Sequence, residues 1–223
     1  MGVTLLVGDV FKGLASLPND SVHCIVTSPP YFGLRNYEVA GQIGLEPTFQ
    51  EYLETIDQVC RDLWRVLHPS GTFWLNIGDT HANDRKWGGC SGGLNRPTPR
   101  TRQHTGFKPK DLMLVPFRVA IRLQESGWYV RQHITWYKKN PKPESAKDRP
   151  TSATESIFLL TKSEHYFYNH KDVKTPTKPD TVARYKRGRK TVYDPPGQDA
   201  HRGSVFGPRP NQNMPTSWAS SHD

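Results

Sequence analysis

Apolar runs and a helical segment alternate at the start of the chain. Residues 3–7 form a short β-prone run that ends at a Gly-Asp pair, and residues 22–27 form a second run of the same kind. A helical segment over residues 10–17 connects them, and a crossover of that length makes the two strands parallel. The pattern therefore predicts a β-α-β unit at the beginning of an α/β sheet.

The strongest periodic signal is a helix over residues 49–67. Thr48 and Glu51 form a capping box, and apolar residues then recur at a spacing of three and four positions. A His-Pro-Ser-Gly sequence stops this repeat. Residues 72–77 predict the next strand, which ends at a second Gly-Asp pair and completes another helix–strand unit.

The periodicity disappears in the middle of the chain and then returns. Glycine, proline, lysine and arginine accumulate over residues 80–110, which predicts a mobile basic insertion. A helix over residues 112–126 follows, with Pro116 near its first turn and Gly127 just past its end. The remaining predicted elements are strands over residues 128–137 and 154–161 and an edge strand over residues 166–168.

These elements divide the chain into two parts. Residues 1–168 are predicted to form one α/β region, and residues 169–223 form a basic, proline-rich segment without a core of its own. A length of 223 residues accommodates one such domain with appendages but leaves little room for a second full domain.

The charge balance indicates a polyanionic partner. The chain has 30 lysine and arginine residues against 21 acidic residues, a formal net charge of +9 and a pI near 9.5, which favours nucleic acid or an anionic membrane surface. No apolar run is long enough to span a bilayer, and the first residues lack a signal-peptide pattern. The three cysteines are far apart in sequence, without the spacing of a zinc site or a disulfide framework. We therefore expect a cytoplasmic protein that binds no metal and has no membrane-spanning segment, and composition alone does not choose between the two polyanions.

Polar loops follow three of the predicted strands. The ends of these strands carry Gly8-Asp9, Thr27-Ser28-Pro29-Pro30-Tyr31 and Asn76-Ile77-Gly78-Asp79, and open parallel sheets bind ligands at the carboxyl ends of their strands. Glycine, aspartate, serine and proline are also common in ordinary turns, so a Gly-Asp pair alone has little weight. The second loop is more informative because its sequence is unusual.

Two consecutive prolines make the second loop a rigid array of hydrogen-bond acceptors. Pro29 and Pro30 fix the backbone and remove two donors, so their carbonyl oxygens are expected to project without an internal partner. The Ser28 side chain and the Pro29 carbonyl could accept both hydrogens of a nucleobase amine and favour a pyramidal, more nucleophilic nitrogen. Tyr31 could stack on a base that has left the duplex.

The sequence Thr27-Ser28-Pro29-Pro30-Tyr31 resembles the catalytic motif of S-adenosylmethionine-dependent DNA amino-methyltransferases, Asp/Asn/Ser-Pro-Pro-Tyr/Phe. Supporting matches include the Gly-Asp pair at residues 8–9, residues 63–67 and 71–72, and the Gly-Trp pair at residues 127–128. The likeness covers residues 3–168 and is closest to the permuted beta class, in which the catalytic half precedes the cofactor half. It implies a Rossmann-like α/β sheet.

The resemblance also implies roles for the matched residues. Residues 28–31, here called the proline loop, would hold a flipped target base, and Asp9 would contact the adenine of S-adenosylmethionine. A serine at the first motif position is most typical of cytosine N4 methylation, and adenine N6 methylation stays open. The predicted catalytic residues are Ser28, Pro29, Pro30 and Tyr31, and the predicted cofactor contacts are Asp9, Thr27, Ser28 and Asp79.

Double-stranded DNA is the expected partner of the basic segments. By the resemblance, the loop after Trp136 would help to grip the flipped base, and the basic positions of the insertion and tail would follow phosphates. These charges could also serve only for solubility. The predicted DNA contacts are Arg85, Lys86, Arg100, Arg102, Lys138, Asn140, Lys186, Arg187 and Arg189.

One family signature is missing from the sequence. The Asp-Pro-Phe-x-Gly-Ser-Gly-like loop that receives the methionine end of the cofactor should follow the basic segment, and no run here matches it. The predicted sheet is therefore incomplete. We expect little methyl transfer from this chain alone and recovery when the missing half is added, in the same chain, as a second polypeptide or through a homodimer. The alternative is a non-catalytic DNA-binding fragment or one half of a split methyltransferase.

Overall fold

The structure is a computed structural model. It describes residues 2–82, 106–170, 172–173, 175–176, 211–212 and 217–219. Its helices and strands, in chain order, are α1 Val10–Ala15, β1 Val22–Thr27, α2 Phe49–Val66, β2 Leu67–Ile77, α3 Val115–Glu125, β3 Tyr129–Tyr137, β4 Thr154–Thr161, β5 Thr175–Pro176, β6 Asn211–Gln212 and β7 Ser217–Ala219.

Five strands form one mixed sheet in the order β1-β2-β4-β3-β7. β1 and β2 are parallel, β4 is antiparallel to both β2 and β3, and β7 pairs in parallel with β3. As a result, the carboxyl ends of β1, β2 and β3 and the amino end of β4 lie along the same side of the sheet, called its edge below. A loop that follows any of these strands is therefore close to the start of β4.

The chain separates into two compact units. One comprises Met1–Phe167 and Thr216–Asp223 and contains the five-stranded sheet. The other comprises Tyr168–Pro215, in which β5 and β6 form a two-stranded antiparallel ladder.

Helix α2 forms as its sequence pattern predicts. The Thr48 side chain accepts a hydrogen bond from the Glu51 backbone N–H at 3.2 Å, which caps the first turn. Tyr52, Ile56 and Cys60 lie on the buried face of this helix. They belong to one buried cluster with Phe73, Leu75 and Ile77, alternate residues of β2 that point to the same side of the sheet.

Helix α3 starts three residues later than predicted. Leu114 adopts a left-handed backbone conformation with φ of 56°, so the helix begins at Val115. The Asp79 side chain replaces a local cap, because its Oδ1 accepts from the Val115 N–H at 3.0 Å. Just beyond Asp79, a His81–Leu112 bridge pairs the two chain segments that flank residues 83–105. Those residues, most of the predicted mobile insertion, lie outside the described residues.

Two predicted strands are wrong. Residues 3–7 form no strand, and Val3, Leu5 and Val7 are 99%, 82% and 89% exposed. Residues 166–168 form no strand either, although the Phe167 N–H donates to the Ser70 carbonyl at 2.9 Å. A β-prone run becomes a strand only where a neighbouring edge accepts its hydrogen bonds. The strand that does pair with the outer side of β3 is β7, which lies in the segment that was predicted to lack a core.

Candidate active site

The proline loop lies where the parallel strands end. Thr27 is the last residue of β1 and pairs with Leu75 of β2, so Ser28 and the residues after it face the end of β2. Glu155, the second residue of β4, is brought to the same edge by the antiparallel pairing of β4 with both β2 and β3. The predicted meeting of polar loops is thus confirmed for those after β1 and β2.

Five side chains at this edge form a connected hydrogen-bond cluster, here called the Tyr31 network. The Ser28 hydroxyl donates to the Tyr31 phenol oxygen at 3.1 Å, and the phenol donates to Glu155 Oε2 at 2.9 Å. The Asn76 amide donates to the same carboxylate oxygen at 3.0 Å and to the phenol oxygen at 3.2 Å. Lys138 forms an ion pair with the other carboxylate oxygen, Glu155 Oε1.

The charges of the Tyr31 network are well defined. Burial by itself raises the pKa of Glu155, but the hydrogen bonds from Lys138, Asn76 and Tyr31 outweigh it, so the pKa lies below its ordinary value. Burial, together with the negative charge of Glu155, raises the pKa of Tyr31 to about 12. At neutral pH the carboxylate is therefore ionised and the phenol keeps its proton.

Packing fixes the position of the Tyr31 ring. Gly78 lies directly under it, and a Cβ atom at that position would be only 2.5 Å from Tyr31 Cε2. Gly44, with φ of +95°, lies under the loop backbone, where a Cβ atom would be 2.8 Å from the Tyr31 carbonyl oxygen. Both glycines allow close approaches that a side chain would prevent.

One of the two predicted free carbonyls has an internal partner. Tyr52, which is fully buried on α2, donates its hydroxyl to the Pro30 carbonyl at 3.1 Å. The prediction that both proline carbonyls project freely is therefore wrong for Pro30. Among the described residues, the Pro29 carbonyl has no such donor, so the predicted acceptor pair of Ser28 and Pro29 is retained.

Two of the four predicted cofactor contacts lie at the Tyr31 network, and the other two cap helices or turns. Thr27 ends β1 next to the Tyr31 network, and Ser28 is a member of that network. Asp9 follows no strand and caps α1 instead, where its Oδ1 accepts from the N–H groups of Phe11 and Lys12. Asp79 Oδ1 accepts from the N–H groups of Thr80 and Val115, and no donor among the described residues bonds to Oδ2.

Only two of the predicted DNA contacts can be located. Lys138 pairs with Glu155, and its Nζ lies 5.9 Å from the centre of the Trp136 ring, so it is part of the Tyr31 network. Asn140 is exposed in the loop after β3. The other seven predicted contacts, in the insertion and in the tail, lie outside the described residues.

Sequence reasoning missed several residues that shape the site. Glu155 and Tyr52 are among them, and Asn76 and Gly78 were noted only as strand-end residues. A signal for Glu155 was available, because it is the only acidic residue in the otherwise apolar and hydroxylated strand β4. Tyr52 fits a core helix pattern, and nothing in that pattern indicates that its hydroxyl reaches the proline loop.

The described residues contain neither a metal-binding cluster nor a membrane-spanning helix. No group of three or more histidine, cysteine, aspartate or glutamate side chains is arranged to hold a metal ion there. None of the described helices is long and apolar enough to cross a membrane.

Comparison with known proteins identifies the family. A family model described as DNA methylase, for N6 and N4 methyltransferases, matches residues 22–217. The match covers most of the chain, including β1, the proline loop and β4. This chain belongs to the N6/N4 DNA methylase family.

Curated relatives are type II methyltransferases. M.XycI from Xanthomonas campestris pv. cyanopsidis is 44% identical over 78% of this chain, M.Cfr9I from Citrobacter freundii is 45% identical over 78%, and M.SmaI from Serratia marcescens is 40% identical over 85%. The matched regions cover 59%, 59% and 65% of those proteins. The chain thus spans about three fifths of the length of the curated relatives it matches.

A solved structure supports the fold. The PvuII DNA methyltransferase, described as cytosine-N4-specific, superposes with a TM-score of 0.53 at 19% identity, covering 81% of this chain and 60% of that one. The predicted α/β, Rossmann-like methyltransferase fold is confirmed.

Proposed function

We propose that this sequence is the catalytic part of a type II DNA amino-methyltransferase, which transfers a methyl group from S-adenosylmethionine to the exocyclic amine of a flipped base. The observation that carries the proposal is the proline loop at the end of β1, held by Tyr52 and by the Tyr31 network. Family membership and the type II relatives support it. Methylation would act alongside a restriction enzyme, in the cytoplasm.

The loop is suited to an amine that donates two hydrogens. A nucleobase amine is a weak nucleophile because its lone pair is delocalised into the ring. The Ser28 oxygen and the Pro29 carbonyl oxygen are two neighbouring acceptors on a rigid backbone, and accepting both amine hydrogens would favour a pyramidal nitrogen. Positioning of the amine by these two groups is the main catalytic contribution that we assign to the chain.

We favour cytosine N4 as the methylated position. The serine in the first motif position supports this choice, and the solved relative with the same fold is described as cytosine-N4-specific. Tyr31 would contribute the face of its ring to the flipped base, while its hydroxyl stays in the network.

The described residues fit one end of S-adenosylmethionine. This cofactor supplies an electrophilic methyl group attached to a sulfonium. Asp9 and Asp79 are exposed residues, and the second carboxylate oxygen of each, Oδ2, could accept from the adenine amine or the ribose hydroxyls. No described segment is a glycine-rich turn leading into a long helix, the arrangement that would receive the methionine carboxylate.

Duplex DNA is the proposed substrate, and the basic segments are its proposed phosphate contacts. The net charge of +9 supports binding to a polyanion. A second polypeptide or a second copy of the chain would be the source of a complete cofactor site if the natural protein is split.

Methyl transfer can be measured directly. The natural protein that carries this sequence is incubated with tritiated S-adenosylmethionine and unmethylated phage DNA, and the digested nucleosides are identified by mass spectrometry. The proposal predicts N4-methyldeoxycytidine. N6-methyladenine would retain the enzyme class and reject the choice of base, and the absence of labelled DNA would reject the function. Titration calorimetry with S-adenosylmethionine separates the non-catalytic alternative, which predicts no heat of binding.

A further inference from the structure

Glu155 is a partly buried carboxylate at the centre of the Tyr31 network, and the function proposed above assigns it no role. Its side chain is 15% exposed and contacts Tyr31, Asn76 and Lys138. None of these contacts is with Ser28, so the hydrogen-bonded path from Glu155 to Ser28 runs through Tyr31.

The direction of each hydrogen bond in the network follows from what its groups can donate. An ionised carboxylate only accepts, and a lysine ammonium only donates. The single hydroxyl hydrogen of Tyr31 therefore goes to Glu155, at 2.9 Å. The phenol oxygen is then restricted to accepting, and the Ser28 hydroxyl must donate its only hydrogen to it, at 3.1 Å.

Because the Ser28 hydrogen is used in the bond to Tyr31, the Ser28 oxygen can only accept a hydrogen bond from the base. We propose that Glu155 is a positioning residue that sets the hydrogen-bond direction of Ser28, so that Ser28 accepts from the target amine and never donates to it. The difference matters because a hydroxyl that donated to the amine nitrogen would occupy the lone pair that must attack the methyl group. The inference rests on the proposed amino-methyl transfer.

The orientation of the Asn76 amide supports the proposal that Glu155 sets the hydrogen-bond directions in the network. Its Nδ2 donates to Glu155 and to Tyr31, whereas its Oδ1 is buried without a hydrogen-bond partner among the described residues. A buried amide oxygen without a partner is costly. The amide keeps this orientation because turning it over would place an oxygen against the carboxylate. The negative charge of Glu155 thus dictates the orientation of its neighbours.

Replacing Glu155 with glutamine tests the direction without changing the size of the side chain. Lys138 would attract the oxygen of the new amide, which turns its NH₂ group toward Tyr31. Tyr31 would then accept from Gln and donate to Ser28, and Ser28 would present its hydrogen to the target amine. We expect kcat at saturating DNA and cofactor to fall about 10- to 100-fold, with KM for DNA little changed.

A double-mutant cycle separates an effect of Glu155 on the hydrogen-bond direction of Ser28 from a general effect on the stability of the fold. Tyr31→Phe keeps the ring and removes the hydroxyl that links Glu155 to Ser28. In that background Glu155→Gln should change kcat by less than about twofold, because the link is already broken. A purely structural role of Glu155 predicts the same loss of kcat in both backgrounds, and that result would overturn the inference.

A second variant provides a rescue. In Glu155→Gln combined with Lys138→Met, no cation competes for the amide oxygen, which can again accept from Tyr31. We expect kcat to rise above that of Glu155→Gln alone; a further fall would contradict the inference. Glu54→Gln, an exposed carboxylate change on α2, is the matched control and should leave kcat unchanged. Circular dichroism confirms that each variant is folded.

The two levels of the proposal fail in different ways. If the wild-type natural protein transfers no methyl group to DNA, the proposed function is rejected and this inference with it. If the wild type is active and the cycle is additive, only the role of Glu155 is rejected.

Discussion

Gly78→Ala is a small change that should displace the Tyr31 ring. The added Cβ atom would be 2.5 Å from Tyr31 Cε2 and 2.9 Å from Cδ2. Carbon atoms in favourable contact are about 3.5–4.0 Å apart, so the ring must move by about 1 Å. The substitution requires no unusual backbone conformation, because Gly78 is not among the glycines with positive φ.

The magnitude follows from the hydrogen bonds that the ring carries. A movement of about 1 Å would stretch the bond of 2.9 Å between the phenol and Glu155 beyond the usual limit. We expect a loss of about 1–3 kcal/mol in the free energy of unfolding from overpacking. We also expect a fall in kcat of up to about 10²-fold from misplacement of the base-holding loop.

Urea unfolding of the chain and methyl transfer by the natural protein measure the two effects. Gly13→Ala in α1 is the matched control, because no atom lies within 4 Å of its new Cβ and alanine is favoured in a helix. The control should be as active as the wild type. If Gly78→Ala has the stability and the kcat of the wild type, two statements are refuted: that the Tyr31 ring packs closely on Gly78, and that this packing is needed for catalysis.

Three further predictions concern the support of the site and the core. Tyr52→Phe leaves the Pro30 carbonyl without its buried donor and should cost about 1–3 kcal/mol in urea unfolding; an unchanged midpoint would show that water replaces the hydroxyl. Asp57→Ala removes the buried carboxylate that accepts from Ser126 at 2.8 Å and pairs with Arg61 at 2.7 Å, and should cost about 1–3 kcal/mol, whereas Asp62→Ala on the same helix should cost less. The pKa of Glu155 is lowered in the folded state, so its contribution to stability is present above the ordinary value of 4.5 and is lost as the pH falls through the lowered value. The difference in unfolding free energy between wild type and Glu155→Gln should therefore shrink in acid, and a difference that grows in acid would contradict the lowered pKa.

The sequence predicts those parts of the fold whose signals are local. The capping box and the apolar repeat locate α2, and the apolar runs locate β1 and β4. The apolar run at residues 3–7 misleads, because strand formation depends on a partner edge that a sequence window does not show. β7 is missed for the converse reason, since its pairing with β3 joins residues far apart in the chain.

In the candidate site, too, the residues with a local sequence signal are predictable and those that depend on distant strand pairing are not. Ser28 and Tyr31 are predictable because the motif is contiguous and follows a strand. Glu155 is not, because it reaches Tyr31 across 124 positions of sequence through the antiparallel pairing of β2 with β4. Lys138 is predicted as a DNA contact because it lies in the loop after Trp136, and only the geometry shows that it pairs with a carboxylate of the site.

The most direct test of the account is the effect of Ser28→Ala on methyl transfer. The variant loses the side-chain acceptor but retains the rigid backbone and the Pro29 carbonyl. The account predicts a fall in kcat of about 10²- to 10³-fold with DNA affinity nearly unchanged. A kcat equal to that of the wild type would contradict the central claim that this loop holds the target amine.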